Sequence, residues 1–180
     1  NDKWSLNVEV NAEDNNNGRG YVTKQTDDCT DPEEIIFGER KIKTATNIAG
    51  LNYTFNNKMG VNLRVRHYWS TVRYESFYSL ATDGSLNPST YNGVSSDDAP
   101  KHDTNFNALN LDFAYFMQVA PGSFLNLVWK DAISSLTNDA RMNYFSSYRQ
   151  AMESPQINNV SLRFTYFLDY TSLKKAASKM

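Results

Sequence analysis

The sequence has few of the features that identify common classes of protein. It contains no apolar run approaching the roughly 20 residues that a transmembrane helix requires, which excludes helical membrane spanning. Its single cysteine, Cys29, excludes an intrachain disulfide, a paired-cysteine zinc site and a CxxC redox pair. The formal net charge is −2 and the basic residues are scattered, so we expect no nucleic-acid partner. The opening NDKWSLNVEV lacks the pattern of a signal peptide, so if the protein is secreted we expect a mature chain or a fragment.

Alternation of apolar and polar residues is the strongest pattern in the chain. Successive side chains of a β-strand point to opposite faces, so a strand between lipid and water has a period of two. The mean hydropathy of −0.60 does not exclude such strands, because only every second residue faces lipid. Six segments have this period: 4–10, 48–55, 61–70, 108–119, 125–130 and 160–170.

The connections between these segments alternate in length. Residues 56–60 and 120–123 are short and contain turn-forming residues, whereas residues 11–43, 72–105 and 131–157 are long and polar. Outer-membrane barrels have short periplasmic turns and long extracellular loops. We therefore expect the two turns and the C-terminus in the periplasm, and the three long links outside the cell.

These patterns predict an all-β fold, an antiparallel transmembrane β-barrel of the bacterial outer membrane, to which residues 1–170 contribute six C-terminal strands. Residues 171–180 are expected to form a periplasmic tail. The smallest single-chain barrels have about eight strands, so the remaining strands must come from the upstream part of the same protein or from another chain. The expected surroundings are outer-membrane lipid and lipopolysaccharide. A soluble β-sandwich also alternates and is the alternative fold.

A family resemblance covers most of the chain. It rests on the stretches LNYTFNNKMGVNLRVRHYWSTVRY, TNFNALNLDFAYFMQVAPGSFLNLVWKD and NNVSLRFTYFLDYTSLKK, in which the APGSFLNLVWK hairpin is the most specific part. They resemble the C-terminal end of large Bacteroidetes outer-membrane proteins of the domain-of-unknown-function 5916 type, usually preceded by a family-nine-like carbohydrate-binding domain. The resemblance implies an outer-membrane location and supplies no catalytic residues. One departure is that such barrels commonly finish on an aromatic residue, whereas this chain continues beyond Tyr170.

The alternation also predicts which side chains face lipid and which face inward. The expected lipid-facing residues are Leu111, Phe113, Leu127, Leu162, Phe164 and Tyr166. The expected inward-facing residues are Asn110, Asp112, Asn126, Arg163 and Thr165. The charged candidates for lining the lumen are Glu9, Arg64, Arg66, Asp112, Lys130 and Arg163. Their mixed signs predict no strong preference for solute charge, and a cross-strand lattice that braces the wall is the alternative role.

Aromatic residues in the long links are candidates for binding a carbohydrate or a protein partner. They are Tyr74, Phe77, Tyr78, Tyr91, Tyr144, Phe145 and Tyr148. Aromatic faces provide large contact surfaces for a ligand, but the same rings can equally pack among themselves.

Metal binding and catalysis have little support in the sequence. Acidic residues crowd one link: Asp27, Asp28, Asp31, Glu33 and Glu34. The stretch from Glu13 to Gly18 resembles the start of a calcium loop, but its twelfth position is Lys24 instead of Glu. His67 and His102 have no nucleophile motif nearby, although Asp103 could orient His102 as a base. We therefore predict no metal, no cofactor and no enzyme activity.

The leading functional hypothesis is a channel or transporter for small solutes or glycans. The alternative is a plugged barrel that acts as a surface module and binds or anchors a carbohydrate or a protein partner. A third hypothesis is an outer-membrane hydrolase.

Overall fold

Seven β-strands and one α-helix form the fold of the computed structural model, which describes residues 3–25, 34–168 and 170. In chain order they are β1 (Trp4–Gln25), β2 (Glu34–Asn56), β3 (Met59–Leu80), β4 (Leu86–Pro88), β5 (Thr104–Ala120), β6 (Ser123–Thr137), α1 (Tyr144–Met152) and β7 (Gln156–Thr165). The strands form one antiparallel sheet in the order β1-β2-β3-β5-β6-β7, and the short β4 pairs with the end of β3. This confirms the predicted all-β antiparallel class. Within the described residues the sheet is open, with β1 and β7 as its edges.

Two tight turns set the register of the hairpins where the sequence predicted short connections. Asn57 and Lys58 join β2 to β3, and the Asn56 side chain accepts a hydrogen bond from the Lys58 backbone N–H at 2.8 Å. Pro121 and Gly122 join β5 to β6, and Gly122 has a φ of 76°, a left-handed conformation that glycine adopts without steric cost. Both predicted turns are therefore confirmed.

The register keeps the two faces of the sheet chemically distinct, because directly paired residues point to the same side. The face we call the apolar face carries a paired row of Leu51, Leu63, Phe113 and Trp129. The face we call the polar face carries the adjacent row of Gly50, Arg64, Asp112 and Lys130. The residues predicted to face lipid lie on the apolar face wherever they belong to a strand, and those predicted to face inward lie on the polar face.

Packing of apolar side chains in a closed core is sparse in the described part of the chain. Its buried apolar residues are Ile36, Ile133 and Ala151. Large apolar side chains remain exposed on the apolar face, among them Leu6 and Leu162. The sandwich alternative requires two facing sheets, whereas the described strands belong to one sheet. No helix in the described ranges is long and apolar enough to cross a membrane.

The strands extend well beyond their predicted lengths. Residues 11–25 belong to β1 and residues 34–47 to β2, although the sequence predicted one long link over 11–43. β3 continues to Leu80 and β6 to Thr137, into the other two predicted links. These extensions carry polar residues on both faces and so lack alternation. Interstrand backbone hydrogen bonds do not require alternation, since every residue except proline supplies a donor and an acceptor.

The C-terminal part of the sheet differs from its prediction in two ways. β7 ends at Thr165, before Tyr170, where the predicted sixth strand ends. Because β6 begins at Ser123, the residues after Thr165 have no partner strand. The Phe167 N–H instead donates to the Ser123 hydroxyl at 3.0 Å. The predicted link 131–157 contains the helix α1. The predicted tail, 171–180, lies outside the described residues.

We expect Gly38→Ala to destabilise the sheet, because the Tyr74 ring of β3 lies directly over Gly38 of β2. An added Cβ would overlap that ring and come within 2.8 Å of Val22. Such overpacking costs about 1–3 kcal/mol in the free energy of unfolding. Gly50→Ala is the matched control, since a Cβ there would meet only Asn7 at 4.0 Å. Urea titrations of both variants check this, and equal midpoints would contradict it.

Candidate functional site

The segment that contains α1 covers one end of the apolar face. This is the end of the sheet near the long connections, which we call the loop end. Asn143 begins the helix, and its side-chain oxygen accepts a hydrogen bond from the Ser146 N–H at 2.9 Å, a normal N-cap. Ser147 and Ala151 are one helical turn apart and are both buried. The small side chains on this side of α1 allow the helix to lie close to β5 and β6.

His67 is the centre of a buried polar network between α1 and the sheet. Its Nε2 lies 3.2 Å from the Asn107 side-chain oxygen, an acceptor, so Nε2 carries the hydrogen. Its Nδ1 lies 2.8 Å from the Tyr144 hydroxyl, which can donate to Nδ1 of a neutral ring. The same hydroxyl accepts from the Asn47 amide at 2.8 Å. The sequence placed His67 on the apolar face, and the structure adds that α1 covers it.

The network continues through Asn105 to the helix. The Asn105 amide donates to the Ser147 hydroxyl at 2.6 Å, and its oxygen accepts from the Trp69 indole N–H at 3.1 Å. Asn105, Asn107 and Ser147 are all buried. Burial raises the pKa of Tyr144, and the nearby Tyr148 raises it further, so the Tyr144 hydroxyl keeps its proton at neutral pH. Because these buried polar groups are satisfied mutually, displacing α1 would leave them unpaired.

A cleft of about 730 Å³ lies beside this network, between the sheet and the chain that leads into α1. Its lining comprises Lys41, Lys43, Trp69, Thr71, Arg73, Glu75, Ala140, Arg141, Met142, Asn143 and Tyr144. We call this space the basic cleft, because its lining has two lysines, two arginines and one carboxylate. Lys41 pairs with Glu75 at 2.8 Å, and Lys43 approaches Asp14 at 3.9 Å.

The two arginines of the basic cleft differ from its lysines. Within the described residues neither Arg73 nor Arg141 has a carboxylate within ion-pair distance. The sequence did not single out these side chains, because they come from β3 and from the chain before α1, which only the fold brings together.

A second aromatic cluster lies on the other side of the loop end, on the polar face. Tyr74 stacks on Phe77 with ring centres 5.7 Å apart, and Phe77 meets Tyr91 edge to face at 5.2 Å. His102 lies against all three rings, and its Nε2 is hydrogen-bonded to the Tyr91 hydroxyl. Asp103 is buried and accepts the Tyr74 backbone N–H at 2.9 Å. This cluster fixes the segment after β4 against β3.

The electrostatics of this cluster favour its neutral form. Burial lowers the pKa of His102 and Lys101 lowers it further, while Asp103 opposes them. Burial raises the pKa of Tyr91. The partner of the His102 ring is therefore a protonated phenol. In the described ranges no serine or cysteine is hydrogen-bonded to the ring.

The predicted aromatic candidates do not form one platform. Tyr74 and Tyr78 lie in β3, which corrects their assignment to a link, since the strand continues to Leu80. Tyr144 and Tyr148 lie in α1, where both rings contact His67. Tyr78 forms a separate group, in which its hydroxyl donates to Glu39 at 3.1 Å and the Arg19 guanidinium lies 4.8 Å from its ring centre. The rings pack against neighbouring side chains in separate groups.

The charged candidates for the lumen share the polar face across the sheet. Asp112 and Lys130 are directly paired, and their charged groups lie 3.6 Å apart. Arg64 is paired with Asp112 from the other side. Glu9 and Arg163 lie on the two edge strands. Within this set, Asp112 and Lys130 therefore form an exposed cross-strand ion pair.

The acidic candidates lie in two places. Asp27, Asp28, Asp31 and Glu33 lie outside the described residues. Glu34 begins β2, where it accepts a hydrogen bond from the Ser89 hydroxyl at 3.4 Å. The stretch from Glu13 to Gly18 lies within β1, at a register shift in which Asn17 has a φ of 62°, so it is not a calcium loop. Within the described ranges no three acidic, histidine or cysteine side chains converge as metal ligands.

Comparisons with known proteins give one match. The family model described as a domain of unknown function (DUF5916) matches residues 1–177. No curated protein and no solved structure matches the chain. The match therefore relates the chain to this family, and the family's description names no activity.

We expect Tyr144→Phe to loosen α1, because it removes the hydroxyl that bonds both His67 and Asn47. The loss leaves the buried His67 Nδ1 and the half-buried Asn47 amide without this partner, at a cost of about 1–3 kcal/mol in local stability. Tyr148→Phe is the matched control, since the Tyr148 ring contacts His67 and its hydroxyl has no hydrogen bond within the described residues. Hydrogen exchange of the α1 amides measures the effect. Equal protection in the two variants would contradict the role of the network.

Proposed function

The chain belongs to the DUF5916 family, whose description assigns no activity, and we propose that it forms part of the wall of an outer-membrane β-barrel that passes small solutes or glycans. The observation that carries the proposal is the single-layered sheet with one apolar and one polar face. A soluble protein would bury the apolar face against a second layer, because each square ångström left in water costs about 25 cal/mol.

The length of the apolar region along the strands supports the proposal that lipid covers the apolar face. From Leu109 to Val119 every residue of β5 on the apolar face is apolar, which matches the roughly 9–11 residues with which a tilted strand crosses a bilayer. Beyond Leu109 the same face continues with the buried amides of Asn107 and Asn105. The change from hydrocarbon to amide side chains is expected where a strand leaves the membrane.

The polar face supports a water-filled lumen. Arg64, Asp112 and Lys130 lie side by side across β3, β5 and β6, and charged groups on the lipid side of a strand would be costly. The open edges at β1 and β7 require further strands, because unpaired backbone groups in lipid cost several kcal/mol each. These strands would come from the upstream part of the same protein or from another chain.

The position of α1 favours an open lumen over a plug formed by this helix. α1 packs on the apolar face, so in the proposed orientation it lies outside the barrel wall, above the membrane. The cluster of Tyr74, Phe77, Tyr91 and His102 lies on the polar face and would narrow the mouth. That cluster supports the second candidate, a barrel closed at its outer end that acts as a surface module.

We expect Leu63→Arg to impair assembly in the membrane far more than Asn62→Arg. The two residues are neighbours in β3, and Leu63 lies on the apolar face whereas Asn62 lies on the polar face. An arginine against lipid near the midplane costs about 2–4 kcal/mol, and a lumen arginine costs much less. The measurement is the heat-modifiable folded fraction of the full-length protein in outer membranes and its urea midpoint in vesicles. Similar losses for both variants would argue against a lipid-covered apolar face.

We expect the full-length protein to conduct ions in planar bilayers, with a selectivity that depends on the polar face. Arg64→Glu with Lys130→Glu should shift the permeability ratio towards cations, because both changes add negative charge inside the lumen. Lys58→Glu, in the short turn, is the control for the added charge and should have a smaller effect. Absence of conductance in the folded protein would reject the open channel and leave the surface module.

A further inference from the structure

We propose that the basic cleft binds the phosphate groups of a phosphorylated glycolipid in the outer leaflet, next to the barrel wall. The inference rests on the proposed function, because it requires the apolar face to meet lipid. Its basis is the location of the cleft, which lies on the apolar face directly beyond the apolar region.

The register places the cations at headgroup height. Along β3 the apolar-face positions run from Val65 through Trp69 to Arg73, and Lys41 of β2 is paired with Arg73. Arg73 lies about 14 Å beyond Trp69 at roughly 3.4 Å per residue. With a strand tilt of about 40° the height is about 10 Å. If Trp69 marks the hydrocarbon boundary, the basic cleft spans the headgroup layer, which is about 5–8 Å thick, and the sugars just outside it.

The charges of the basic cleft suit phosphate. Lys41 and Lys43 form ion pairs with Glu75 and Asp14, whereas Arg73 and Arg141 have no carboxylate within ion-pair distance among the described residues. A guanidinium group matches two phosphate oxygens at once, which makes arginine a preferred residue for phosphate recognition. Both arginines line the cleft, one from the sheet and one from the chain before α1. A phosphate between them would complete an arrangement that has an excess of positive charge.

The walls of the basic cleft also suit a lipid-linked sugar. Trp69 and Tyr144 meet edge to face with ring centres 5.5 Å apart, and both line the cleft. Such amphipathic rings are enriched at membrane interfaces, where one side is apolar and the other wet. The volume of about 730 Å³ accommodates a phosphorylated sugar unit. The His67 network holds Tyr144 in place, so the wall is preformed.

The occupant is a lipid and not a transported solute, because of the face on which the basic cleft opens. Solutes would cross the barrel along the polar face, whereas the basic cleft lies on the apolar face. Acyl chains below a bound phosphate would lie against the region that contains Val65 and Leu111. Headgroup recognition and lipid contact would therefore act on one molecule.

The test measures binding of purified lipid A with two phosphates to the full-length protein in mild detergent, by native mass spectrometry. We expect Arg73→Gln with Arg141→Gln to weaken binding by at least about tenfold, since each charge-assisted hydrogen bond lost is worth more than a neutral one. Lys3→Gln with Lys58→Gln removes the same charge at the short-turn end of the sheet, away from the basic cleft, and should change binding less than about twofold. Heat modifiability verifies that each variant is folded. The variant Arg73→Lys with Arg141→Lys should bind lipid A more weakly than the unchanged protein and more strongly than the glutamine variant.

Two outcomes would overturn the inference. One is unchanged binding of lipid A in the folded Arg73→Gln, Arg141→Gln variant. The other is equally tight binding of the acyl-free phosphorylated disaccharide, which would identify a soluble anion as the ligand. The comparison of Leu63→Arg with Asn62→Arg reports on the membrane wall independently. If Leu63→Arg and Asn62→Arg differ as expected but the arginine variant still binds lipid A, the lipid site in the basic cleft is rejected and the membrane wall is not.

Discussion

Backbone pairing between neighbouring strands is the interaction on which the rest of this structure depends. In the described residues there is no second sheet, so the ladders from β1 to β7 supply the order that a buried core supplies elsewhere. The pairing of β3 with β5 runs without a register shift from Met59 to Val72. A slip of one residue would exchange Leu63 with Arg64 between the faces, so the chemical difference between the faces depends on this register.

The sheet has two parts along its strands, and each has its own source of stability. Near the short turns, apolar and polar side chains are separated by face, an arrangement that suits a boundary between lipid and water. Near the long connections, polar residues occur on both faces, and added segments bury some of them. α1 covers His67, Asn105 and Asn107 on the apolar face. The segment around Tyr91 and His102 covers Tyr74 on the polar face.

The two covering segments, α1 and the segment around Tyr91 and His102, are held on the sheet by the same kind of contact. In each, a histidine lies between a tyrosine hydroxyl and neighbouring rings, so a polar contact orients an aromatic cluster. On the apolar face this leaves a basic cleft that is lined by Arg73 and Arg141 together with Trp69 and Tyr144. On the polar face it places a group of rings at the same end of the sheet. The chemistry suited to ligands is therefore concentrated beyond the apolar region, on both sides of the wall.

The sequence alone determined the strand class, the two faces and the short turns, because a period of two and turn residues such as Pro121 and Gly122 are local properties. It also located the family relationship. It could not predict the polar extensions of β1 and β2, since backbone pairing leaves no periodic signal there. Only the tertiary structure decided that Tyr144 meets His67, or that Arg141 and Arg73 line one cleft. These contacts join residues far apart in the chain, and long-range packing depends on the whole sheet and not on neighbouring residues.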